Sequence, residues 1–215
     1  MSHLNRIIAI DNLSRGQFVI INTNGHTNFD GRNKSGKTTT LKLALLFYGV
    51  KGSDLAKAKG KVTQGFVNYY LPNPSSYLVY EYVRGNEINC VICSSTENSV
   101  RYQFLSGTFD KNIFLLDDLN GKSIVQNNAL RTNADRFERE LSPKLSPETY
   151  RSIIQSNKPY RLKTSDSESI RKWRPRYSFP TQGDSIDNID RVLIGIFRGK
   201  VSMDAVRSTL TNILV

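Results

Sequence analysis

The stretch Gly31-Arg32-Asn33-Lys34-Ser35-Gly36-Lys37-Thr38 sets two glycines, a lysine and a hydroxyl at the spacing G-x-x-x-x-G-K-[ST]. Each position has a chemical use. The glycines let the backbone curl without a Cβ clash, so the amides from Arg32, Asn33, Lys34, Ser35 and Gly36 through Thr39 can turn inward. Such amides, with the N-terminus of a following helix, bind phosphate oxygens. Lys37 supplies a point charge for β- and γ-phosphates, and the Thr38 hydroxyl can coordinate a bridging Mg²⁺. The pattern is a Walker A loop, and the expected ligand is ATP with Mg²⁺, or a close nucleoside triphosphate. The competing reading is a Gly/Lys-rich turn that only caps a helix.

The elements around the loop favour the phosphate reading. Lys37 to Tyr48 reads as a helix, with Leu41, Ala44, Leu45 and Tyr48 on one face and Leu43, Leu46 and Phe47 widening it. Gly49 and Gly52 end it. A short polar strand, Thr27 to Asp30, leads into the loop. Further upstream, Arg6 to Leu13 and Gln17 to Asn22 read as an antiparallel strand pair around Gly16. Downstream, Ser53 to Thr63 is basic and loop-like. Tyr77 to Arg84, Glu87 to Ser94, Val100 to Leu105 and Asn112 to Asp117 read as strands, with Gly85-Asn86 as a hairpin turn. Leu130 to Leu141 and Ser146 to Gln155 read as helices, the second opened by Ser146 and Pro147. Lys158 to Gln182 reads as a polar connector, and Ser185 to Phe197 and Met203 to Val215 as amphipathic helices.

Bulk properties narrow the classes. The 215 residues can bury a real core, and 38% hydrophobic with 23% charged residues is a globular composition. The net charge of +11 favours polyanionic partners, nucleic acid or nucleotide. The two cysteines, Cys90 and Cys93, form a lone C-x-x-C inside a strand-like run, with only His3 and His26 as histidines. Two reduced core thiols fit this better than a redox pair or half a zinc site. No signal-peptide pattern or membrane-length apolar run occurs, so a cytoplasmic protein without membrane contact is expected.

Arg6-Ile7-Ile8-Ala9-Ile10-Asp11-Asn12-Leu13, followed by Gly31 to Thr38 and Thr39-Thr40-Leu41, resembles the N-terminal head segment of SMC-like ABC-type ATPases. More specifically, it resembles the MukB, JetC and SbcC-like group. Tyr69-Tyr70-Leu71-Pro72 and Ser76-Tyr77-Leu78-Val79-Tyr80-Glu81-Tyr82 add a likeness to the JetC-type head. The resemblance is strongest over residues 6–50 and fades beyond 84. It implies an α/β P-loop fold of ABC type: a mixed sheet, an antiparallel β layer and C-terminal helices, together forming half of a split head. Residues 1–157 would be the ATP-binding lobe, 158–183 a basic connector, and 184–215 a helical approach to a coiled coil. The implied partners are a C-terminal head segment, on the same or another chain, a second head engaged through ATP, and DNA. The implied setting is chromosome organisation, repair, or plasmid and phage defence. The resemblance also makes Gln155 a candidate contact to Mg²⁺ and the attacking water, against the plainer reading of a helix-end glutamine.

Other readings stay open at this level. Ile113-Phe114-Leu115-Leu116-Asp117-Asp118 looks like a Walker B strand, and Leu105-Ser106-Gly107 like the start of an ABC signature. The interval between them is too short for the helix, turn and strand that such a pair requires. A self-contained P-loop NTPase or kinase would use Asp117 as its metal-binding acid. A module whose assembly is controlled by nucleotide would need no catalytic acid. The connector bears Lys158, Arg161, Lys163, Arg171, Lys172, Arg174 and Arg176 among Tyr160, Trp173 and Tyr177. That mix suits phosphate contact and base stacking, a solvated loop, or contact with a second head segment.

Overall fold

Strand β1 (His3–Ile10) buries Leu4, Ile7, Ile8 and Ile10. It pairs antiparallel with β2 (Phe18–Asn22) on one side and β5 (Tyr77–Arg84) on the other. The computed structural model describes residues 2–12, 14–24, 37–55, 57–59, 62–96, 99–118, 121–157, 164–181 and 184–186. Intervening elements are α1 (Lys37–Phe47), the short strands β3 (Lys57–Lys59) and β4 (Val62–Gln64), and the single-turn helix α2 (Phe66–Tyr70). After β5 come β6 (Glu87–Thr96), β7 (Ser99–Ser106), β8 (Leu115–Asp118) and β9 (Gly121–Ile124). Helices α3 (Leu130–Arg136), α4 (Pro147–Ile154) and α5 (Thr164–Tyr177) follow.

The described residues fall into two compact units. The first draws on Met1–Phe29 and Ala56–Pro147, the second on Asp30–Leu55 and Glu148–Val215.

The first unit is built on a five-stranded sheet in the order β2-β1-β5-β6-β7. Its central strand β5 is buried from Tyr77 through Tyr82, which explains its near-continuous apolar sequence. One face presents Ile8, Ile10, Tyr77, Val79, Cys90, Ile92 and Leu105 to Ile113, Phe114, Val125, Leu130 and Ala134. Each such large side chain contributes about 1.5–3 kcal/mol by leaving water. Gly85 turns the β5–β6 hairpin at φ +59, a conformation that costs glycine nothing. Asp11, with φ +47, ties the sheet end together. Its carboxylate accepts from Gly16 N–H at 2.7 Å and Ser75 Oγ at 2.5 Å, and its carbonyl accepts from Ser76 Oγ at 2.5 Å.

Several sequence expectations change here. Every strand pairing among the described residues is antiparallel, so of the expected mixed sheet only an antiparallel part is seen. The leading strand Thr27 to Asp30 lies outside the described residues. The strand expected over Asn112 to Asp117 opens instead as a 3-10 turn, Lys111–Phe114, because Asp110 accepts the Asn112 amide as its cap. Ser53 to Thr63 is not simply loop: a 3-10 turn spans Gly52–Leu55 and β3 pairs with β4. Helix α3 stops well before Leu141, where Glu138 takes φ +53. Leu141 and Leu145 then form bridges to Leu105 and Tyr102 of β7.

The second unit contains α1, α4 and α5. Helix α5 overturns the reading of the connector as loop. Ile170, Trp173 and Tyr177 recur at helical spacing and are buried, and this apolar stripe fixes the helix despite its basic composition. Pro175 has no N–H to give the Arg171 carbonyl, and the helix ends two residues after it. The helices expected over Ser185 to Phe197 and Met203 to Val215 fall outside the described residues, apart from Ser185 and Ile186, which are not helical. Among the described residues no helix is long and apolar enough to cross a membrane.

Candidate nucleotide site and its supporting helix

Gly31, Arg32, Asn33, Lys34, Ser35 and Gly36 lie outside the described residues, as do the side chains of Lys37, Thr38 and Thr39. The backbone of the last three is described, and it forms the first turn of α1. The opening amides of a helix have no intrahelical acceptor, and the helix dipole makes that end attractive to anions. The first turn of α1 contains no acidic residue that would compete for those amides. This end of α1 therefore fits a phosphate group, and it begins where the glycine-rich loop ends.

The opposite end of α1 is held by α4. The Tyr150 hydroxyl donates to the Phe47 carbonyl, and the Gln155 side-chain amide donates to the Tyr48 carbonyl at 2.6 Å. Helix C-termini leave their last carbonyls unpaired, and these donors satisfy two of them. Gly49 follows at φ +87, and a Cβ there would stand 2.9 Å from Arg151 Cγ and 3.3 Å from Gln155 Nε2. Glycine is required at this position for both conformation and space. Phe179 packs edge-on against Phe47 and Tyr48, with ring centroids 5.4 Å away in each case. Burial pushes the Tyr48 hydroxyl above its ordinary pKa.

Gln155 is fully buried and has every polar group engaged. Its N–H donates to Arg151 O at 3.0 Å and its carbonyl accepts from Ile186 N–H at 2.8 Å. Its Oε1 accepts from Asn157 Nδ2 at 2.7 Å. The 11 residues of α1 separate Tyr48 from Lys37, which is about 16 Å at 1.5 Å per residue. The structure thus places Gln155 at the far end of the helix from Lys37 and Thr38 and does not bring them together. A glutamine side chain spans less than that gap, so the arrangement supplies no contact between Gln155 and a metal held by Thr38.

Helix α5 is fastened to α4 by polar contacts. Arg174 Nη2 donates to Ser152 Oγ and to Asn157 O, both at 2.8 Å, and Thr149 Oγ1 lies 3.1 Å from Asp166 Oδ1. Partial burial lowers the Arg174 pKa. Arg171, Lys172 and Arg176 are exposed. Trp173 is only 4% exposed and Tyr177 is 0% exposed, so neither ring is available to stack on a base. Lys158, Tyr160, Arg161 and Lys163 lie outside the described residues.

Asp117 sits on a two-stranded ribbon, exposed and in register with Lys122, rather than in the five-stranded sheet. Ser106-Gly107 forms a turn at the end of β7, with Gly107 at φ +78. Cys90 and Cys93 are free, buried thiols, and burial raises both pKa values. Among the described residues no group of three or more His, Cys, Asp or Glu side chains could hold a metal.

Sequence reasoning missed Tyr150 and Arg174 as supports of this helix. Tyr150 looked like any apolar helix residue, and Arg174 like one cation of a basic run. Gly49 did leave a signal, since a glycine directly after an apolar helix marks a left-handed cap.

No curated protein matches this chain. Residues 8–215 match the model of a family described as a protein of unknown function, DUF3584, which is associated with RecF/RecN/SMC-like proteins. With nearly its whole length matched, this chain belongs to the DUF3584 family.

Proposed function

We propose that this chain is the ATP-binding N-terminal half of an SMC-like ATPase head, of ABC type and close to the MukB and JetC group. The observation that carries the reading is the Walker A sequence Gly31 to Thr38 running directly into α1, whose first turn holds no acid. In this reading the loop amides from Arg32 to Thr39 cradle the phosphates of Mg²⁺·ATP. Lys37 draws the β- and γ-phosphates, and Thr38 offers its hydroxyl to the metal. The bound Mg²⁺ would neutralise phosphate charge as the γ-phosphoryl group is transferred to water. The association of the family with RecF/RecN/SMC-like proteins supports the same assignment.

The missing functions define the partners. A Walker A loop supplies neither the acid that completes the metal site nor a group that orients water. In this reading those come from a C-terminal head segment, and the ABC signature comes from a second head. DNA is the substrate on which the engaged heads act, and the net charge of +11 suits a polyanion. Titration calorimetry with ATP and Mg²⁺ tests the core of the proposal. Saturable binding that disappears in Lys37→Ala is expected; equal affinity in wild type and Lys37→Ala would overturn the site assignment.

A further inference from the structure

We propose that Gln155, assisted by Tyr150, is a positioning joint that couples occupancy of the phosphate loop to the segment at 184–186. The proposal rests on the ATP-binding reading of that loop and concerns its regulation. Helix α1 is one rigid element. A phosphate bound at its first turn fixes its axial position and rotation, and any shift is delivered undiminished to its last carbonyls. Those carbonyls are where the joint attaches: Tyr150 Oη on Phe47 and Gln155 Nε2 on Tyr48. Gly49 allows the chain to turn away directly beneath the Gln155 amide.

Gln155 is built to pass such a shift on. Its side chain grips α1, while its backbone carbonyl holds the Ile186 amide at 2.8 Å. Ser156, at φ +55, bends the chain so that Asn157 can donate back to Gln155 Oε1 at 2.7 Å. The Asn157 Nδ2 donor thereby sets the glutamine's orientation, with Nε2 toward Tyr48. The Asn157 carbonyl is itself pinned by Arg174 at 2.8 Å and by Ser152 Oγ at 2.9 Å. A fully buried glutamine with all its polar groups paired cannot yield locally, because an orphaned buried donor or acceptor is costly. Movement of α1 is therefore transmitted to Ile186.

Two measurements on the full chain separate this inference from the reading beneath it. Calorimetry reports ATP binding, and amide hydrogen exchange reports residues 184–186. Saturating Mg²⁺·ATP should slow exchange at Ile186 in the wild type by about fivefold or more, the lower end of usual site-to-site coupling. Gln155→Met keeps the length of the side chain and removes the donor to Tyr48. Tyr150→Phe keeps the ring and removes the donor to Phe47, and serves if the first variant does not fold. ATP binding retained with the exchange response lost in either variant supports the joint, because a purely structural role would alter basal exchange without erasing the response. Wild type that binds ATP without slowing at 184–186, or variants that respond as wild type does, overturns the joint alone. Wild type that binds no ATP overturns both the loop assignment and the joint.

Discussion

Arg6 grips the buried carboxylate of Glu81 with a two-pronged contact, Nε to Oε1 and Nη2 to Oε2, each 2.8 Å long. Asn5 and the Phe109 amide complete the carboxylate's partners. Burial alone would raise the Glu81 pKa, but the hydrogen bonds from Arg6, Phe109 and Asn5 outweigh it and hold the group below its ordinary value. A depressed folded-state pKa gives stability that is fully present above the unfolded value of about 4.3 and is lost as pH falls through the folded one. Urea midpoints should therefore be flat near neutrality and decline below about pH 4. Arg6→Ala strands the carboxylate and should cost about 3 kcal/mol at pH 7, with the acid-side decline blunted. Parallel pH series of urea unfolding on both proteins check this.

Gly49→Ala should destabilise the second unit by about 1–3 kcal/mol. The residue sits at φ +87, and the added methyl meets Arg151 Cγ at 2.9 Å. Equilibrium denaturation followed by Trp173 fluorescence reads this unit, since Trp173 is the only tryptophan. An unchanged midpoint would mean that the turn after α1 relaxes without cost.

Thr38→Ala should weaken nucleotide binding mainly when Mg²⁺ is present, whereas Lys37→Ala should abolish it in either condition. Calorimetry with Mg²⁺ and with EDTA separates the two. Equal losses for Thr38→Ala in both conditions would remove the metal role from its hydroxyl.

DNA contact through α5 should depend on charge alone. Arg171, Lys172 and Arg176 are exposed, while Trp173 and Tyr177 are buried. Reversing the three exposed cations to Glu should weaken binding to unrelated duplexes alike and flatten the salt dependence. Trp173→Phe should leave DNA affinity unchanged if the fold is intact. Arg174 belongs to the fold rather than to this surface, because it holds Ser152 and Asn157. Fluorescence anisotropy over a salt series provides the measurement; wild-type affinity in the triple variant would move the DNA surface elsewhere.

Turnover should be near background for this chain alone and should appear when a C-terminal head segment is added, rising steeply with protein concentration. Asp117→Asn should leave that rate unchanged, since Asp117 lies exposed on the β8–β9 ribbon. Phosphate release across a dilution series decides. Concentration-independent activity of the isolated chain, lost in Asp117→Asn, would establish a self-contained NTPase instead.

Legibility in the sequence followed the strength of local pattern. Strands β5, β6 and β7 were plain because β-branched and aromatic runs are punctuated by Gly85-Asn86, and α1 because apolar residues crowd it up to Gly49. Helix α5 was hidden, since three buried residues, Ile170, Trp173 and Tyr177, are outnumbered by charged and polar neighbours and Pro175 reads as a breaker. The end of α3 was hidden because Leu141 continues a helical period, yet it is drawn off to pair with Leu105. The Walker A pattern, whose residues 31–36 lie outside the described residues, was legible as a sequence because its spacing is local to one stretch of backbone. Gln155 was not, because the job of a buried amide is set by what folds against it, here a carbonyl distant in sequence.

The burial of both cysteines has a practical consequence. Cys90 and Cys93 are 0% exposed, and their raised pKa values leave almost no thiolate at neutral pH. Maleimide and iodoacetamide reagents attack the thiolate, so the native chain should be nearly silent to them. A single surface cysteine, introduced at Ser185 for example, would then take a fluorophore or spin label selectively without the removal of either native thiol. The chain thus accepts a site-specific probe in its native sequence background.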